Sequence, residues 1–127
     1  MNTLEANIEI TRQDGHLSSV SVVMPSWNKI GDDNVIVVDL PLFGLKTFAA
    51  SDNDIDVAIE EAIKGFCLIA EKFGKGLDAE LLALGWTAIQ NENEHISLDF
   101  NIPDDNSVFE QIMQTGDQYA HADLEFA

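Results

Sequence analysis

Apolar and polar residues alternate at positions 4–10 and again at 20–24, which is the period of two expected of a half-buried β-strand. The pair Asp14-Gly15 lies between the two stretches and favours a tight turn. Together they predict an opening β-hairpin. Residues 25–34 (PSWNKIGDDN) are polar and contain a proline and a glycine, so we expect a loop there.

The pattern then changes from strand to helix. The run from Val35 to Leu40 is almost entirely apolar and predicts a central strand that is covered on both faces. A turn with Pro41 and Gly44 leads into a second short strand. Further along, apolar residues recur at helical spacing and predict an amphipathic helix that ends at Gly74; they are Ile55, Ile59, Ala62, Ile63, Phe66, Ala70 and Phe73.

The C-terminal part predicts shorter elements. Asp78 is a candidate N-cap for a helix over 79–84, and strands follow at 86–90 and 95–102. Ser107-Val-Phe-Glu110 matches a capping box, which predicts a third helix, and the alternating tail predicts an edge strand. The fold class is therefore α+β, with a small antiparallel or mixed sheet packed against one main amphipathic helix, in a single domain over 1–127.

Charge narrows the classes of partner. The 127 residues carry 6 Lys or Arg and 23 Asp or Glu, a net charge of −17, and the last basic residue is Lys75. Such a field repels phosphate backbones and anionic lipid, so we expect no direct nucleic-acid binding and no membrane docking. A basic protein would be attracted. Solubility alone is the competing explanation for the excess of acid.

The single cysteine and the first ten residues indicate the cellular compartment. Cys67 excludes an internal disulfide and lies in an apolar helical stretch, where we expect a buried, inert thiol. No run of apolar residues is long enough to span a membrane, and residues 1–10 lack the features of a signal peptide. We therefore expect a cytoplasmic protein.

Tests for chemistry give no positive evidence of an enzyme, cofactor or metal site. Asp52, Asp54 and Asp56 have the spacing of the first three ligands of a calcium loop, but Val57 and Ile63 stand where that loop needs glycine and glutamate. A helix N-terminus explains these acids better. The histidines and serines match no catalytic or ligand motif.

Asp39 and Asp99 are a pair of carboxylates that could serve an enzyme mechanism. Each lies on or at the end of a predicted strand, and paired strand carboxylates hold magnesium in phosphoryl-transfer enzymes. A metal-dependent hydrolase is thus one alternative function. The competing interpretation is that Asp39 caps the turn before Pro41 and that Asp99 lies on the solvent face of its strand.

Residues 34–73 contain two short motifs. Asp39, Leu40, Pro41 and Gly44 lead into a turn, and Glu60, Glu61 and Ala62 lie in the following helix. This stretch resembles the HicB-like antitoxin family, which typically has "P-D-L-P-G-C" before the turn and "E-E-A" in the helix. Val38 and Ala50 depart from the family's Pro and Gly. The resemblance implies a truncated RNase H-like fold, ββ-β-α-β, over about 1–76, with a C-terminal elaboration over 77–127. It implies no catalytic carboxylates.

The resemblance and the charge lead to one functional hypothesis with alternatives. The leading hypothesis is a non-enzymatic interaction domain that neutralises a small, basic, RNA-cleaving toxin. Phe43, at the turn tip, and the carboxylates Asp52, Asp54 and Asp56 are the candidate contacts, since aromatic residues anchor interfaces. The alternatives are an acidic mimic of nucleic acid that occupies a DNA- or RNA-binding protein, and a degenerate HicB-like scaffold. Homo-oligomers are also compatible with the sequence.

Overall fold

The computed structural model of the protein describes residues 3–31, 33–103 and 118–126. These residues form a seven-stranded sheet and two α-helices, which confirms the predicted α+β class. The strands are β1 (Thr3–Gln13), β2 (His16–Ile30), β3 (Ile36–Leu40), β4 (Leu45–Ala49), β5 (Thr87–Glu92), β6 (His95–Pro103) and β7 (Gln118–Glu125). The helices are α1 (Ile55–Lys72) and α2 (Leu77–Ala83).

The sheet is antiparallel and runs in the order β4-β3-β2-β1-β6-β5, with β7 paired to β2. The predicted hairpin is confirmed: Asp14 and Gly15 both have positive φ, 54° and 81°, as a type I′ turn between twisted strands requires. The tail strand is also confirmed, as β7.

The loop predicted over 25–34 is wrong for most of its length. β2 continues through Pro25 to Ile30, because its edge is paired first with β7 over Ser19–Ser26 and then with β3 over Trp27–Ile30. The turn begins only at Gly31, whose N–H donates to the Val35 carbonyl at 2.7 Å. The long strand thereby joins two parts of the sheet, one beside β1 and β7 and one formed with β3 and β4.

α1 packs across one face of this sheet and forms the core. Its buried residues are Ile59, Ile63, Cys67 and Ala70, which meet the inward-facing residues of the strands. In β3 burial alternates: Ile36, Val38 and Leu40 are buried, whereas Val37 and Asp39 are only half-buried. The expectation of a strand covered on both faces is therefore wrong, since α1 covers one face only.

Two further predictions concern the C-terminal part. α2 begins one residue before Asp78, with Gly76 at the N-cap position, and the Asp78 carboxylate instead accepts a hydrogen bond from Arg12. The third helix and its capping box fall on residues that lie outside those described. Across the described ranges, no helix is both long and apolar enough to cross a membrane.

Candidate interaction groove

A groove of about 460 Å³ lies between β4 and α1. One wall comes from Leu45, Lys46 and Thr47 of β4, and the other wall comes from α1. Glu61 and Glu80 place carboxylates beside this surface. The lining from α1 is otherwise apolar or without a side chain, and consists of Ala62, Gly65, Phe66, Ile69 and Ala70.

Large apolar side chains near the end of α1 remain open to solvent. Ile69, in the groove, is 63% exposed, and Phe73, directly after the helix, is 85% exposed. The prediction that Phe73 continues the buried stripe is wrong, because α1 ends at Lys72 and the Gly74 N–H turns back to the Ile69 carbonyl. Exposed apolar surface next to a groove is typical of a protein-interaction site.

Gly65 widens the groove in the middle of α1. A glycine inside a helix costs about 0.5–1 kcal/mol relative to alanine. A Cβ built at Gly65 would have no atom within 4 Å, so the packing of the described residues does not require the glycine. The missing side chain instead leaves free space along the α1 wall.

The other wall of the groove is a sheet edge. Among the described strands, β4 pairs with β3 alone. In an antiparallel edge strand, the N–H and C=O groups of alternate residues point away from the sheet. Backbone hydrogen-bonding groups therefore lie next to the apolar lining of the groove.

An ion-pair cluster fixes the end of α1 and the start of α2. Arg12 donates to both carboxylate oxygens of Glu71 and to Asp78, each at 2.8 Å. The Leu77 N–H also donates to Glu71. The hydrogen bonds from Arg12 lower the pKa of Glu71, and those to Glu71 raise the pKa of Arg12. The cluster holds α2, and with it Glu80, against α1.

The open face of the sheet, opposite α1, is a second acidic surface. Along it, Ser97 donates to Glu9 at 3.0 Å, and the Nε2 atom of His95 lies 2.9 Å from the same carboxylate. On β1, β6 and β7 the described residues of this face include no Lys or Arg, since Arg12 is turned toward α1. The carboxylates of this part are Glu5, Glu9, Asp99, Asp123 and Glu125. At the other end of the sheet, Lys29 of β2 and Lys46 of β4 lie on the same face.

Phe43 is not at an exposed tip. Its side chain is only 2% exposed and packs against Phe66 and Trp86, with ring centroids 5.0 and 5.8 Å away. The turn folds back because Phe43 and Gly44 donate to Leu40 and Pro41, which directs the ring into the core. The expectation of an exposed Phe43 is wrong.

The acids at the start of α1 lie apart from Phe43. Asp52, Asp54 and Asp56 are exposed, the first two in a short 3-10 turn before the helix. They follow the far end of β4, a strand of five residues that spans roughly 13–16 Å. The structure therefore does not bring Phe43 and these carboxylates together, and a contact role for the three acids stays a prediction.

Asp39 and Asp99 are also far apart. β2 and β1 lie between their strands, a separation of at least about 14 Å at the usual strand spacing. Asp39 accepts a hydrogen bond from the Trp27 indole instead of capping the turn, and Asp99 accepts one from Asn7. Over the described ranges, no three metal-ligating side chains come together.

Cys67 is fully buried, as predicted. Desolvation by burial raises the pKa of its thiol to about 12, and the charge of Glu71 adds to this effect. The thiol therefore stays protonated at neutral pH, where it is a poor nucleophile.

Sequence reasoning did not single out the groove residues Gly65 and Ile69. Both carried a signal: a glycine interrupts a strong helix, and Ile69 is a large apolar residue off the buried stripe. Their meaning depends on which strand lies beside α1, and the sequence pattern does not contain the order of the strands.

Comparison of the chain with protein-family models, with curated proteins and with solved structures gives no match.

Proposed function

We propose that the protein is a non-enzymatic interaction domain that binds a cationic protein in the groove between β4 and α1. The observation that carries the proposal is a groove that combines the exposed apolar side chain of Ile69 with the carboxylate of Glu61 in its lining. Apolar contact supplies affinity, and carboxylates favour cationic partners over others. The net charge of −17 adds long-range attraction to a partner of this kind.

The finer proposal is that the partner is a small, basic, RNA-cleaving toxin, which the domain neutralises by covering its active surface. The resemblance of residues 34–73 to HicB-like antitoxins supports it. These residues form β3, β4 and α1, the elements that build the groove.

The proposal is tested with a short, basic reading frame that adjoins the gene for this protein. We expect its product to be toxic when expressed alone and harmless when co-expressed with this protein. Calorimetry on the two purified proteins then measures their dissociation constant. Failure of the proteins to associate would exclude the toxin as partner.

Two pairs of matched variants test whether the partner contacts the groove. Glu61→Lys changes a groove carboxylate, whereas Glu60→Lys makes the same change on the neighbouring exposed residue outside the groove. We expect Glu61→Lys to weaken binding about tenfold or more, about 1.4 kcal/mol, and Glu60→Lys to have a much smaller effect. Likewise, Ile69→Ser should weaken binding and Ile30→Ser should not, although both isoleucines are exposed.

The nucleic-acid mimic is the second candidate, and the open acidic face of the sheet favours it. Asp123 and Glu125 lie two residues apart on one rigid strand, roughly 6.5 Å along it. A mimic would present this face to a DNA- or RNA-binding protein. In the same binding experiment, a larger loss for Asp123→Lys than for Glu61→Lys would favour the mimic over the groove.

A further inference from the structure

We propose that the groove takes an extended, cationic segment of the partner, which pairs with β4 as an added strand. This inference rests on the proposed function and specifies how the partner binds. Adding a strand to a sheet edge is a common mode of peptide recognition, in which backbone hydrogen bonds give affinity and alternate side chains give specificity.

The backbone of β4 provides the first argument. Within the described residues it is paired on one side only, and its residues Leu45, Lys46 and Thr47 line the groove. A strand added at this edge would lie about 4.8 Å from β4, beside the groove. Its N–H and C=O groups would satisfy the outward-pointing groups of β4.

The alternation of side chains provides the second argument. Leu45, Lys46 and Thr47 all contribute to the groove wall. The side chains of Leu45 and Thr47 lie on one face of β4, whereas the Lys46 side chain lies 3.8 Å from Asp39 on the other face. Every second side chain of an added strand therefore enters the groove. On the α1 wall, Gly65 has no side chain, and even an added Cβ there would meet no atom within 4 Å, which leaves room for part of such a side chain.

The carboxylates of the groove favour a cationic segment as the bound partner. The carboxylates of Glu61 and Glu80 border the apolar lining, so a Lys or Arg stem can lie along the lining with its charged head at a carboxylate. A second copy of this chain would bring a charge of −17 to a surface of the same sign. A cationic segment with apolar residues between its charges fits better than a second copy.

The probe is the synthetic peptide KTVTVTK, capped at both ends. Its sequence is the same in both directions, so a parallel and an antiparallel strand both place two Val and two Lys side chains in the groove and Thr on the other face. Titration into the ¹⁵N-labelled protein at low salt gives the affinity by NMR. We expect saturable binding, weakening of about tenfold or more with Glu61→Lys, and no binding of ETVTVTE.

Two methylated peptides test the added strand itself. One carries N-methyl groups on its Thr residues and the other carries them on its Val residues. Because alternate N–H groups of a strand point to opposite sides, one methylated peptide should lose binding and the other should retain it. Alternate amides of residues 45–49 should also exchange more slowly with solvent when the unmodified peptide is bound.

The outcomes separate the two proposals. If both methylated peptides bind as well as the parent while Glu61→Lys still weakens binding, the added strand is wrong and the groove stands. If the toxin-like partner binds through Glu61 but KTVTVTK does not bind, the extended segment is wrong. Insensitivity of both ligands to Glu61→Lys overturns both proposals. Two other results would assign the groove to another occupant. One is a concentration-dependent dimer in which residues 45–49 are protected from exchange, and the other is contact of residues 104–117 with the groove in the free protein.

Discussion

Gly65 is the residue at which stability and binding are expected to diverge. Gly65→Ala should raise the free energy of unfolding by about 0.5–1 kcal/mol, since alanine restricts the unfolded chain and favours the helix. The new methyl group meets no atom within 4 Å. Gly65→Leu should fill the groove and weaken the binding of KTVTVTK about tenfold or more.

Urea denaturation and peptide titration measure the two effects on the same variants. Val57→Leu is the control, because Val57 is 54% exposed on α1 and does not line the groove. It should change neither quantity appreciably. A Gly65→Ala variant less stable than the native protein would show that the glycine is needed by the fold, and a Gly65→Leu variant with unchanged affinity would argue against the groove.

At the scale of helices and strands, Arg12 connects β1 to both helices through ion pairs. Its side chain is 16% exposed and is held by Glu71 and Asp78. Arg12→Met should lower the free energy of unfolding by about 2–4 kcal/mol, because it leaves two carboxylates together without their cation. Lys46→Met removes one charge as well, but Lys46 is 57% exposed and its loss should cost less than about 1 kcal/mol.

The same cluster gives a pH dependence with a definite sign. The pKa of Glu71 is lower in the folded protein than its ordinary value of 4.5. The ion pair of Glu71 with Arg12 therefore contributes its full stabilisation of the folded protein above about pH 4.5. This contribution is lost as the pH falls through the lower pKa that Glu71 has in the folded protein. The difference in unfolding free energy between native protein and Arg12→Met, measured in urea, should shrink from pH 7 to pH 3. A constant difference would mean that Glu71 is not the partner that matters.

The elements that the sequence predicts correctly are those with local causes. α1 follows from its apolar stripe and the β1–β2 hairpin follows from alternation around Asp14-Gly15. The second half of β2 has no such local cause, because Ser26 and Trp27 become strand residues through partners in β7 and β3. Breaker residues predicted a loop there, and pairing with distant strands prevailed over them.

The candidate site was less predictable than the fold for a related reason. An interaction groove needs a sheet edge and a helix side by side, and both depend on the order of the strands. Phe43 shows the same limit at a turn: its neighbours Phe66 and Trp86 are distant in sequence, and they bury a side chain that local pattern places at an exposed tip.

For the whole molecule, the net charge of −17 predicts two opposite effects of salt. Mutual repulsion of the acids destabilises the compact state, and added ions screen it. The melting temperature of the free protein should therefore rise between about 20 and 500 mM NaCl, where the Debye length falls from roughly 20 Å to 4 Å. Over the same range, affinity for the cationic peptide should fall, because the same ions screen the attraction.

Calorimetric melting and peptide titration at matched salt concentrations check this pair of effects. A variant with Glu60 and Glu92, both exposed, changed to Lys should gain less from salt, since two reversals bring the net charge from −17 to −13. Its affinity for KTVTVTK should change little at high salt, because neither residue lines the groove. If the affinity instead depends on net charge alone, Glu61→Lys and Glu60→Lys will weaken peptide binding equally at every salt concentration. That result would mean that the whole surface attracts the peptide, and that the groove has no special role.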